Sequence, residues 1–193
     1  MDDPANLPLQ RPTVVAEGAS ASRRRLLYAG VAGTAALGGA GLAWFKFQPH
    51  AMDPGVEQAL WALEFEKPEG GALAMRSFEG KPLLLNFWAT WCPPCVEELP
   101  MLNAFYREHA AKGWQVIGLA IDQPTAVRKF LTRIPLEFPV GLAGLGGTDL
   151  GRSLGNLTGG LPFTVVFGAQ GAVLHRKMGQ VTPTDLQQWA LMH

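Results

Sequence analysis

The 193-residue chain carries 16 Lys and Arg against 16 Asp and Glu, so its formal net charge at neutral pH is zero. With no basic surplus to neutralise a phosphate backbone, the composition excludes an electrostatic nucleic-acid binder. A hydrophobic fraction of 48% is that of a globular chain with a real core, and no repeat at a solenoid period is present.

Residues 1–21 are rich in Pro, Ala and Ser without periodicity and are expected to be disordered. Arg23, Arg24 and Arg25 then precede an uncharged run from Leu26 to Phe45. As a helix that run matches a bilayer core of about 30 Å. Positive charge ahead of it favours an N-terminus inside and a body outside the cytoplasm. The stretch "SRRRLL" has the form of a twin-arginine export address. Gly30, Gly33, Gly38, Gly39 and Gly41 dilute the run, which suits an export signal better than a firmly seated anchor. No clean Ala-x-Ala cleavage pattern follows it. Residues 22–47 are therefore read as a signal or a membrane anchor, in the periplasmic sense of export. Residues 48–193, about 145 in all, have the length of one domain.

The first element of that domain to declare itself is "PLLLNFW", a short continuous apolar run of the kind that forms a buried parallel strand. Behind it come Cys92 and Cys95, the two cysteines of the chain. A bridge closing so short a loop stabilises little. A zinc site needs a second ligand cluster, and His50, His109, His175 and His193 are scattered. A c-type haem tether needs His after the second Cys, where Val96 stands. A redox dithiol is the reading that remains, with no metal expected. Pro93 and Pro94 suit the first turn of a helix. Val96, Leu99, Leu102, Phe105 and Tyr106 continue it at helical spacing, and Gly113 ends it. Cys92 is thereby placed at a helix N-terminus, where orphan N–H groups and the helix dipole favour a thiolate. Cys92, nearer the exposed end, is the expected attacking thiol and Cys95 the resolving one.

Further along, "TAVRKFLTR" predicts a helix with Thr125 as a candidate N-cap, and "LEFPVGLA" a strand. "GGTDLGRSLG" predicts a short helix capped near Thr148. "TPTDLQQWALMH" predicts a terminal helix capped by Thr182 or Thr184. Trp88, Trp114 and Trp189 are read as packing residues.

"FWATWCPPC" resembles the active-site signature of the thioredoxin superfamily, and the longer "LLLNFWATWCPPCVEELP" its TlpA/ResA-like branch of exported thiol:disulfide oxidoreductases. The resemblance covers roughly residues 62–181. It implies an α/β, thioredoxin-like fold, a central mixed β-sheet with helices on both faces. "LEFEKPEGGALAMRSFEGK" is similar to the family's N-terminal hairpin, "GWQVIGLAID" to its second parallel strand, and "GGLPFTVVFGAQGAVLHRKMGQ" to its proline loop and antiparallel pair. On this resemblance Cys92 and Cys95 are the redox pair, forming a redox-active disulfide with no other cofactor. Trp91 is the aromatic beside the nucleophile. Pro162 is the cis-proline, and Leu161 before it presents backbone to a bound partner strand. Glu98 matches an acidic residue near the active site, a tuner of thiol acidity or a proton acceptor; the plainer reading is a first-turn glutamate favouring the helix dipole. Asn86 stands where many thioredoxins carry Asp and cannot act as a general base. Pro93 and Pro94 leave two backbone N–H donors missing near the Cys92 thiolate, which leans toward a reductant. The implied partners are protein disulfides and a membrane thiol-disulfide electron donor, with inner-membrane anchoring possible through residues 26–45. The rival readings are a Cu(I) metallochaperone holding the ion on the two thiols and a thiol peroxidase on the same fold.

Overall fold

The structure, a computed structural model, describes residues 54–192; the expectations for residues 1–21 and 22–47 lie outside the described residues. Helix α1 spans Pro54–Trp61 and leads into a hairpin of β1, Glu64–Glu66, and β2, Ala72–Ala74. A short 3-10 turn, Met75–Phe78, precedes β3, Leu83–Trp88. Helix α2, Pro93–His109, is followed by β4, Gln115–Ala120, and α3, Pro124–Leu131. Strand β5 is Val140–Leu142 and α4 is Gly146–Ser153. Strands β6, Phe163–Phe167, and β7, Val173–Met178, lead to α5, Pro183–Trp189.

The strands form one sheet in the order β2-β1-β5-β4-β3-β6-β7. β3, β4 and β5 are mutually parallel neighbours, whereas β6 and β7 on one side and β1 and β2 on the other run antiparallel. The expected parallel strand is thus parallel to β4 and antiparallel to β6. All six residues of β3 are buried, as a strand paired on both edges and covered on both faces must be. One face packs Leu84, Trp88, Val116 and Val166 against Leu99 and Leu102 of α2, Val127 and Phe130 of α3, and Leu186 and Trp189 of α5. The other packs Leu83, Leu85, Phe87, Ile117 and Val165 against Leu60 and Trp61 of α1 and the Leu150–Leu154 stretch. Helices on both faces of a mixed sheet match the expected class. Trp88, Trp114 and Trp189 are core residues.

Two local expectations are corrected. Thr125 is not the N-cap of α3. Pro124 takes the first helical position, where its missing N–H costs nothing, and Asp122 Oδ1 accepts from Gln123 N at 2.6 Å. Thr148 lies inside α4, whose first amides are met by backbone carbonyls, Gly147 N to Ala143 O and Thr148 N to Leu145 O. Helix α1 has no counterpart in the sequence reading. Gly113, at φ 96°, does end the α2 segment after a 3-10 turn. Thr182 does cap α5, through a capping box in which Thr182 Oγ1 accepts from Asp185 N and Asp185 accepts from Thr182 N.

The cap yields a direct expectation. Thr182→Ala should lower unfolding free energy by about 1 kcal/mol, read in a denaturant titration; an unchanged midpoint would show that the box contributes nothing.

Candidate active site

β3 delivers the chain to the end of the sheet, where Ala89, Thr90 and Trp91 turn it into α2. Cys92 is the N-cap of that helix, in extended backbone at φ −101° and ψ 101°, with Pro93 and Pro94 in its first turn. Cys92 N donates to Ala89 O at 3.3 Å, which closes the turn. Cys92 and Cys95 form a disulfide with their Cα atoms 5.3 Å apart. Cys92 retains 5% exposure and Cys95 none, the ranking expected for an attacking and a resolving sulfur. Trp91 stands out at 65% exposure, an apolar ring at the mouth of the site. Pro93 is exposed beside it.

The Leu161–Pro162 bond is cis, as the resemblance implies. Leu161 packs against both faces of the core, one of which contains the disulfide, and Pro162 is buried directly before β6. The structure therefore brings Cys92, Cys95 and Leu161 into one cluster.

Glu98 is the sixth residue of α2, beyond its first turn, and is fully buried. The plainer reading of it as a first-turn glutamate favouring the helix dipole does not hold, since the first turn of α2 carries no acidic residue. It lies three residues after Cys95, on the same side of the helix. Asn86 Nδ2 donates to Glu98 Oε1 at 2.7 Å, and Val181 N donates to Glu98 Oε2 at 2.7 Å. Asn86 Nδ2 also reaches Thr164 Oγ1 of β6 at 3.0 Å. Burial pushes the carboxyl up from 4.5 to about 7, against the lowering effect of the Val181 and Asn86 hydrogen bonds. The result is a group able to gain or lose a proton near neutrality, next to the resolving thiol in the helix. Glu97 is exposed and within 3.5 Å of Gln180 Nε2.

Two contributors escaped the sequence reading. Asp122, just beyond β4, accepts from Thr90 N at 2.9 Å and from Thr90 Oγ1 through Oδ2. It clasps the turn that carries Trp91 and Cys92. Its signal was available: an Asp at the carboxyl end of a parallel strand adjoining β3 stands where α/β sheets build their sites. Thr164 is a hydroxyl inside the apolar run "FTVVF" and signals a buried hydrogen bond. Among the described residues no group of three or more His, Cys, Asp or Glu is arranged to hold a metal ion.

A model of the Redoxin family matches residues 57–189. The chain belongs to that family. It is 32% identical over 122 residues to the thiol-disulfide oxidoreductase ResA of Bacillus thuringiensis subsp. konkukian, spanning 63% of this chain and 68% of the relative. A thiol:disulfide interchange protein of the thioredoxin family from Chlorobium tepidum superposes with a TM-score of 0.59 at 27% identity, over 67% of this chain and 91% of that one. A secreted thiol-disulfide isomerase from Corynebacterium glutamicum does so with a TM-score of 0.60 at 25% identity, over 69% and 83%. The fold is thioredoxin-like, and with its Cys-x-x-Cys disulfide at a helix N-terminus this redoxin is a thiol-disulfide oxidoreductase.

Glu98 carries a stability signature. Its folded-state value is raised, so between about 4.5 and about 7 the native state holds a proton that the unfolded chain has released. Stability then falls as pH rises through that window, by about 3 kcal/mol at roughly 1.4 kcal/mol per unit. Glu98→Gln should abolish this part of the slope, so that unfolding free energies of the two proteins diverge in favour of the variant toward pH 7.5. Parallel curves would refute the assignment.

Proposed function

We propose that this redoxin reduces protein disulfides outside the cytoplasm. The observation that carries the reading is the Cys92–Cys95 pair at the start of α2 with a buried carboxyl, Glu98, three residues behind the resolving sulfur. In the reduced protein the Cys92 thiolate attacks one sulfur of a substrate disulfide. A Cys92–substrate disulfide forms and the first substrate sulfur leaves as a thiolate. Cys95 then gives its proton to Glu98 and attacks Cys92 Sγ. The Cys92–Cys95 bond forms, the second substrate thiolate leaves, and two electrons have passed to the substrate.

The reducing direction is supported by the prolines. Pro93 and Pro94 occupy the first two helical positions, so neither supplies a backbone N–H near a Cys92 thiolate. A thiolate with fewer donors is less stabilised, and the reduced form with it. Exposed Trp91 and Pro93, with the Leu161 backbone beside Pro162, form the proposed docking surface for an extended substrate segment. Reoxidation by substrate requires that the pair be reduced again, and a membrane thiol-disulfide electron donor fits that need. Export rests on the arginine-led segment 22–47, whether as signal or as anchor, and is supported by the likeness to a secreted isomerase.

Two measurements test this. The Cys92–Cys95 potential should lie near that of thioredoxin, about −270 mV, and not near the roughly −120 mV of a strong oxidant; the Cys92 pKa should correspondingly stay well above about 4. Cys95→Ser should accumulate mixed disulfides with exported proteins, and Cys92→Ser should accumulate none. A strongly oxidising couple would reverse the direction proposed.

A further inference from the structure

Among the described residues the buried polar side chains are Asn86, Glu98, Thr164 and Asn156. The first three form the network around Glu98. Asn156, 3% exposed, stands apart from it, in the segment that joins α4 to β6. A polar residue so placed has to find its partners within the fold. The backbone N of Asn156 donates to Gly151 O of α4 at 2.9 Å, and its backbone O accepts from Gly159 N at 3.1 Å. Its Nδ2 donates to Gly160 O at 2.8 Å, and its Oδ1 accepts from Thr158 Oγ1 at 3.3 Å. With its ends exchanged the amide would set Oδ1 against Gly160 O, acceptor against acceptor, so that carbonyl fixes which way it faces.

Residues 156–160 are thereby closed into one turn and tied to α4. The end of α4 is held in its turn from the sheet. Arg176 of β7 donates through Nε to Leu154 O at 2.8 Å. Its side chain crosses Gly155, where a Cβ would lie 2.9 Å from Arg176 Cδ. Gly155 passes beneath it in left-handed backbone at φ 106°.

What the turn delivers is Leu161. The carbonyls on either side of it are engaged, Gly160 O by Asn156 and Pro162 O by Gly179 N at 2.9 Å. The N–H and C=O of Leu161 itself have no hydrogen-bond partner among the described residues. Leu161 is half-buried, and its side chain packs on the cluster that contains both sulfurs. A donor and an acceptor on one extended residue make one rung of an antiparallel ladder, the means by which a peptide segment pairs with a fold.

We propose that Asn156 is a positioning residue for substrate capture, its Nδ2 holding the Gly160 carbonyl so that the N–H and C=O of Leu161 are kept in place for a substrate polypeptide beside the disulfide. The inference rests on the reading that the Leu161 backbone docks an extended substrate segment. It adds a selectivity. A polypeptide disulfide gains from the ladder, whereas a small disulfide reaches Cys92 without it. Asn156 therefore acts on the capture of protein disulfides and leaves the sulfur chemistry alone.

Asn156→Asp keeps the shape of the side chain and removes the donor. In the full chain, KM for the disulfides of insulin should rise about five- to tenfold, with kcat changed by less than about twofold. The rate with 2-hydroxyethyl disulfide and the Cys92–Cys95 potential should stay as they are, and Asn156→Ala should behave in the same way. Equal losses on both disulfides, a loss carried by kcat, or no loss on either overturns the inference. Should neither variant fold, hydrogen exchange in Cys95→Ser trapped on a single-cysteine peptide decides. Leu161 N–H must gain protection on trapping while the Asn156 NH2 stays protected; release of that NH2 overturns the proposal. The docking of substrate on Leu161 fails differently. A Leu161 N–H left unprotected in the trapped complex removes the docking and the role of Asn156 together. Protection of Leu161 that is the same with and without Asn156→Asp, at unchanged KM, removes Asn156 alone and leaves the docking standing.

Discussion

The 2.7 Å hydrogen bond from Asn86 to Glu98 meets a constraint that most of the molecule is arranged around. β3 is buried on both faces and paired on both edges, so a polar side chain at its centre has no route to bulk water. Asn86 must find partners within the fold, and it finds them on α2 and β6. Glu98, equally buried, needs donors in return and takes one from β3 and one from the backbone at Val181. One carboxyl thus ties α2 to the central strand and to the segment that enters α5. Hydrogen bonds to a charged group contribute about 1.5–3 kcal/mol each, and burial opposes them. A value raised to about 7 shows burial winning by a modest margin.

That tie fixes α2 over the sheet, and the position of its N-terminus follows. The disulfide there closes too short a loop to staple the fold to any purpose. Its surroundings are those of a site. The turn leading to it is held from β4's end by Asp122, through the Thr90 amide and hydroxyl. Trp91 is thrown outward while both sulfurs stay almost wholly inside. The rigid strand and helix carry the sulfurs, and the exposed ring belongs to the turn between them.

The parts of this arrangement that follow short-range rules were legible in the sequence. The apolar run of β3, the Cys-x-x-Cys step into a helix, the Gly113 stop and the Thr182 cap each depend on neighbours within a few residues. Glu98 was visible only as a candidate, because what decides its character lies far away in the chain, at Asn86 and Val181. Periodicity carried a hint: Cys95, Leu99 and Leu102 mark the buried stripe, and Glu98 falls within it. Thr125 and Thr148 misled for a related reason. Each is a good cap residue, but Pro124 claimed the start of one helix, and upstream carbonyls met the first amides of the other. Neither competitor is visible in a ranking of cap preferences.

Burial of Glu98 also bears on the energetics of the resolving step proposed above. A thiol of ordinary pKa, about 8.5, passing its proton to an ordinary carboxylate near 4.5 moves uphill by roughly four units, or about 5 kcal/mol. The same transfer to a carboxylate raised to about 7 climbs roughly one and a half units, or about 2 kcal/mol. A carboxyl raised much further would stay protonated at neutral pH and could accept nothing. The apolar setting supplies the upward shift, and the two N–H donors limit it. Asn at position 86 suits this balance better than Asp: an amide gives Glu98 a hydrogen bond, whereas a second carboxylate 2.7 Å away would add like-charge repulsion and drive the shared proton's affinity higher still.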